Sequence, residues 1–107
     1  MRHSEMLSSN MEDYLEAIFH ISEEKQAARA KDIADRMEVN KSSVTGALRS
    51  LSEKGLVNYV PYDIITLTSK GKKLAVEIVR RHEALKEFFI KILLIDPDEA
   101  EKTSCRV

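Results

Sequence analysis

Turn-forming residues are scarce: the chain has 3 Gly and 2 Pro in 107 residues. That scarcity disfavours a turn-dense β-sandwich and favours helices. Cysteine is rarer still. Cys105 stands alone, which excludes an intramolecular disulfide and fits a reducing cytosol. Long apolar runs are missing. The longest, Phe88 to Ile95, is interrupted by Lys91 and falls far short of the ~20 residues that span a bilayer. The opening Met1-Arg2-His3-Ser4-Glu5 lacks the apolar core of a secretion signal. These absences lead us to expect a cytoplasmic protein with no membrane partner. There is also no nucleophile–base pair and no Gly-rich phosphate loop, so nothing points to an enzyme. A chain of this length builds one real core but has little room for a substrate cavity.

What is present is charge, unevenly placed. The net charge is −1, yet residues 25–91 hold 14 Lys/Arg against 8 Asp/Glu, while the two ends hold 3 against 10. A basic middle suits an anionic partner, and acidic ends suit something that seeks carboxylates. Uneven decoration of a solvated surface is the plainer alternative.

Periodicity divides the chain into helices and one hairpin. Ser9-Asn10-Met11-Glu12 reads as a capping box, and Met11, Tyr14, Leu15 and Ile18 recur at helical spacing to about Ser22 or Glu24. Glu23 to Ala28 reads as a polar connector. A short second helix covers Lys31 to Met37 without a good capping residue. Asn40 can cap a third helix that runs to Lys54, with Gly55 just beyond. Its inward stripe is Val44, Leu48 and Leu51. Leu56–Val60 and Ile64–Leu67 are β-prone and flank Pro61-Tyr62-Asp63, a hairpin. Thr68 caps a long helix to about Leu93, with Leu74, Ile78, Leu85, Phe89 and Ile92 along one stripe. Asp96-Pro97-Asp98-Glu99 starts a last helix. The fold class is mainly α with a small β-hairpin, a winged helix-turn-helix followed by the start of a helical region.

The third helix turns a small, polar, basic face outward: Ser42, Thr45, Gly46 and Arg49. A recognition helix needs hydrogen-bonding side chains at its N-terminal end to read a major groove. Lys41, Ser42, Ser43, Thr45 and Arg49 supply them. Gly46 costs this helix roughly 1 kcal/mol relative to Ala. Close approach of DNA would explain it, and so would a neighbouring helix. Lys70, Lys72 and Lys73 open the long helix, where cations oppose the helix dipole, so phosphate contacts suit them better than self-stabilisation, a solvated lysine cluster being the alternative. On the first helix Asp13, Glu16 and His20 share the face opposite the apolar stripe. Two carboxylates one turn apart can share a divalent cation, although an acidic face is more often simply solvated. From spacing alone, His82 reads as a core-edge histidine and Cys105 as a small buried hydrophobe.

Several segments together resemble a known family. They are Met11-Glu12-Asp13-Tyr14-Leu15-Glu16-Ala17-Ile18, Asp32-Ile33-Ala34, Asn40-Lys41-Ser42-Ser43-Val44-Thr45, Leu67-Thr68-Ser69-Lys70-Gly71 and Arg81-His82-Glu83. In this order and spacing the chain resembles the metal-dependent transcriptional repressors of the diphtheria toxin repressor and manganese transport regulator type. The resemblance implies a homodimeric repressor of metal homeostasis genes that binds double-stranded promoter DNA when loaded with Mn(II) or Fe(II). It implies metal ligands at Asp13, Glu16, His82 and Cys105, while the residues themselves point to DNA contacts at Lys41, Ser42, Ser43, Thr45, Arg49 and Lys72. Asp13 follows the manganese-type pattern, where iron-type members carry Met. Cys105 follows the iron-type pattern, where manganese-type members carry Glu. Lys86 stands where the family often has the Glu of a second metal site.

The family continues past Val107 into a Glu-His pair, so the resemblance implies the front part of a longer regulator. It divides the chain into a DNA-binding domain over residues 1–73 and the beginning of a dimerisation and metal-binding domain over 74–107. Two other readings remain. One is a winged-helix regulator without metal dependence, and the other a winged helix used as a protein-interaction module.

Overall fold

The computed structural model describes residues 7–93. The elements run α1 (Ser9–Lys25), α2 (Ala30–Met37), α3 (Lys41–Glu53), β1 (Val57–Asn58), β2 (Thr66–Leu67) and α4 (Ser69–Leu93). Each helix begins where a side chain takes over an amide that the helix itself leaves unpaired.

For α1 that side chain is Ser8, one residue earlier than the capping-box pattern suggests. Its hydroxyl accepts from the Met11 amide at 3.1 Å. The expected return bond from Glu12 is replaced by a long-range pair, since Glu12 Oε2 lies 3.4 Å from Arg81 of α4. For α2 the sequence offers no cap before the helix, and the structure finds one inside it. The Asp32 carboxylate reaches back to accept from the Arg29 amide at 3.3 Å. Asn40 caps α3 as expected, accepting from the Ser43 amide at 2.8 Å, a contact worth about 1 kcal/mol. Gly55 then takes φ of 73°, a conformation open to glycine at no steric cost, and turns the chain towards the hairpin.

The strands are shorter than their β-prone composition suggests. Only Val57↔Leu67 and Asn58↔Thr66 pair. The tip satisfies its own amides instead: Asp63 N donates to Val60 O, and Ile64 N donates to the Asp63 carboxylate at 2.7 Å. Ile65 finds a different partner, donating its amide to Ala28 O at 2.8 Å. The stretch that reads as a polar connector therefore ends in a fully buried Ala28 that bridges to the wing.

Thr68 locks the start of α4. Its hydroxyl accepts from the Gly71 amide at 3.0 Å and donates to Gly55 O at 2.7 Å. Gly71 is required by contact: a Cβ there would fall 1.9 Å from Leu56 O. The wing and the first turn of α4 thus touch backbone to backbone.

Leu15 and Ile18 from α1, Ile33 from α2, Leu48 and Leu51 from α3 and Ile78 from α4 meet in one core. Burying side chains of this size contributes roughly 1.5–3 kcal/mol each. The core stops short on α4. Leu85, Phe89 and Ile92, expected to continue its inward stripe, are 55%, 55% and 53% exposed. The helix extends past the elements it packs on, so helical periodicity alone cannot say where burial ends. The expected helix from Asp96 lies outside the described residues.

Candidate nucleic-acid interface and metal centre

The outward face of α3 is as open as its composition suggests. Lys41, Ser42, Ser43 and Arg49 are exposed and Thr45 is half-buried. A Cβ built at Gly46 meets no atom within 4 Å, so among the described residues no neighbouring helix calls for the glycine.

Three of these residues line a cleft of about 450 Å³ between α3, the start of α2 and the wing. Lys41, Thr45 and Arg49 are joined there by Arg29 and Lys31, and the wing adds Tyr59, Tyr62 and Asp63. Four cations around one carboxylate make a cleft suited to an anionic backbone. Arg29 and Lys31 escape the sequence reading, yet a signal exists. They flank the first residue of α2, where cations again oppose the helix dipole. Tyr62, fully exposed at the wing tip with φ of 68°, carries no such signal.

Ser42 and Ser43 sit on the exposed first turn of α3. Lys72 is on a different surface, where it shares a shallow depression on α4 with Ser69, Lys73 and Arg80. Lys70, grouped with Lys72 and Lys73 by sequence, has structural work instead. Its ammonium donates to Lys54 O at 3.3 Å, at the end of α3, where a cation complements the helix dipole.

On the opposite side of α1 two helices meet through polar groups. Glu16 Oε1 of α1 stands 2.8 Å from His82 Nδ1 of α4, and one turn earlier Glu12 meets Arg81. His82 is thus no core-edge residue. Its side chain is 44% exposed and faces a carboxylate. His20 Nε2 approaches the other oxygen of Glu16 at 3.4 Å. Asp13 is exposed on α1, and Cys105 lies outside the described residues. The structure therefore brings together Glu16 and His82 of the expected ligand set. Among the described residues, no group of three or more His, Cys, Asp or Glu side chains is spaced to hold a metal ion. Glu16 and His82 supply two donors of the types that a divalent ion takes. A carboxylate oxygen and an imidazole nitrogen, on separate helices and open to solvent, suit Mn(II) or Fe(II).

Comparison with known proteins gives a consistent picture. Residues 6–64 match the family described as "Iron dependent repressor, N-terminal DNA binding domain". Residues 68–107 match "Iron dependent repressor, metal binding and dimerisation domain". The HTH-type transcriptional regulator MntR of Bacillus subtilis (strain 168) is 40% identical over 94 residues, 88% of this chain and 66% of that protein. The regulator of the same name from Shouchella clausii (strain KSM-K16) is 43% identical over 91 residues, 85% of this chain and 63% of that protein. The chain thus spans slightly less than two thirds of the length of these relatives. Among solved structures, Lactococcus lactis ZitR in complex with DNA superposes with a TM-score of 0.72 at 23% identity, covering 94% of this chain and 69% of that one. The Staphylococcus aureus MepR–DNA complex gives 0.71 at 20% identity, covering 94% and 74%. These two show the winged-helix fold.

Proposed function

The chain belongs to the iron dependent repressor family, and we propose that it acts as a DNA-binding transcriptional repressor switched by Mn(II) or Fe(II). The observation that carries this reading is the meeting of Glu16 on α1 with His82 on α4, in a molecule that opens a cationic cleft beside α3.

Residues 1–73 form the DNA-binding part in this reading. Lys41, Ser42, Ser43, Thr45 and Arg49 face promoter DNA from α3, and Lys72 meets a phosphate from the start of α4. Residues 74–107 begin the dimerisation and metal-binding part, although α4 runs unbroken across the division. The partner is a second copy of the chain. The exposed apolar side chains of α4, within the segment matched to a dimerisation domain, support this. No described helix is long and apolar enough to cross a membrane, and in this reading the protein acts on promoters in the cytoplasm.

Asp13, Glu16, His82 and Cys105 would hold the metal. When bound, the ion supplies positive charge that carboxylates, imidazole and thiolate share. The chain's own part is mechanical. Asp13 and Glu16 ride on α1, which packs against α4, α2 and α3. Fixing α1 against α4 at Glu16 and His82 therefore fixes what α1 supports, including α3. Two such helices in a dimer must match half-sites about 34–36 Å apart, so small changes in α1–α4 packing change DNA affinity.

Capture of fragmented genomic DNA by the protein, without oxygen and with or without Mn(II) or Fe(II), tests the proposal. We expect enrichment of a few promoters only with metal, and its loss in Asp13→Ala. Equal enrichment with and without metal would leave a metal-independent regulator. No enrichment at any salt would leave a protein-interaction module.

A further inference from the structure

One chemistry-bearing side chain of α1 is unused by the proposed ligand set. His20 follows Glu16 by one turn, and its Nε2 stands 3.4 Å from Glu16 Oε2. The other oxygen of that carboxylate, Oε1, faces His82 Nδ1 at 2.8 Å. Glu16 is therefore addressed on both oxygens, by an imidazole of its own helix and by one from α4. Its side chain is the most covered of the three, 22% exposed against 36% for His20 and 44% for His82. Phe19 meets the His20 ring edge to face, with centroids 5.6 Å apart at 64°, which restrains the plane of the imidazole.

We propose that His20 is a positioning residue for a divalent cation held by Glu16. Its ring nitrogen stands beside Oε2 at ion-pair distance and leaves Oε1 to the ion and to the side of His82. The inference rests on the reading of Glu16 and His82 as ligands. A carboxylate can bind a cation through one oxygen or both, and its terminal torsion is soft. A neighbour that holds one oxygen removes that freedom before the ion arrives. Partners of this kind typically account for 10–100-fold in metal affinity. A packing role beside Phe19 would need a flat ring and no donor, which separates the two roles experimentally.

The test is titration of the full chain with Mn(II), the free ion being followed by its electron paramagnetic resonance signal. The proteins are wild type, Glu16→Ala, His20→Phe and His20→Gln, with melting temperatures measured alongside. We expect His20→Phe to weaken Mn(II) binding about tenfold or more. His20→Gln, which keeps an N–H donor, should recover most of that loss, with both variants melting as wild type does. Wild-type affinity in His20→Phe, or equal losses in the Phe and Gln variants, overturns the positioning role. If Glu16→Ala is also defective in the first of these cases, the metal reading survives. Wild type and Glu16→Ala binding Mn(II) equally poorly overturns that reading, and the role of His20 with it.

Discussion

Two glycines in helices answer opposite needs, and a single methyl group tells them apart. Gly71 sits where a Cβ would fall 1.9 Å from Leu56 O, a backbone atom that cannot swing away. Gly71→Ala should lower stability by at least the ~1–3 kcal/mol typical of overpacking, seen as a lower melting temperature. Gly46 sits where a Cβ meets nothing within 4 Å. Gly46→Ala should raise stability by about 1 kcal/mol through helix propensity. The same change should weaken operator binding in a fluorescence titration, because its methyl group enters the space left for DNA. A variant both more stable and equally tight on DNA would remove the reason given for this glycine. Residue identity alone could not separate the two positions. Gly71 is defined by Leu56, whose backbone approaches from outside its helix, and Gly46 by the lack of any such neighbour among the described residues.

The helices are legible because their signals are local. Asn40, Val44, Leu48, Leu51 and Gly55 mark the start, inner face and end of α3 within one continuous stretch, and the structure agrees. The capping bond from the Ser43 amide to Asn40 anchors the helix end nearest the proposed DNA face. Asn40→Ala should therefore cost about 1 kcal/mol in denaturant unfolding. Stability equal to wild type would show that solvent or Lys41 replaces the cap. The hairpin is less legible. Its composition suggests longer strands, but the Asp63 turn and the Ile65–Ala28 bridge draw off amides that a simple ladder would use. Ala28 in particular gives no sign of its burial, since the partner that buries it lies 37 positions away.

Across the whole molecule, burial and exposure divide α4. Its first half joins the core through Ala75 and Ile78, and its second half exposes Leu85, Phe88, Phe89 and Ile92. Exposed apolar side chains gathered on one helix mark an interaction surface. In the proposed function their partner is a second copy of the chain. Phe89→Asp should leave the fold intact and weaken self-association at least about tenfold, read by sedimentation equilibrium, since buried interface aromatics often exceed 2 kcal/mol. Operator binding should fall with it, because two linked recognition helices gain affinity that one lacks. An unchanged sedimentation profile would move the dimer interface elsewhere.

The sequence by itself determined the helices, the hairpin and the outward face of α3, because caps, periodicity and turn residues act over a few positions. It also supplied the family likeness that implies one ligand set of Asp13, Glu16, His82 and Cys105. Tertiary structure alone decided which side chains meet. It set Glu16 of α1 against His82 of α4, and turned Glu12 from its own helix end to Arg81. It drew Arg29 and Lys31 into the cleft beside α3. Contacts across 66 or 69 positions depend on how helices pack, and packing is set by the whole core rather than by either partner's neighbours.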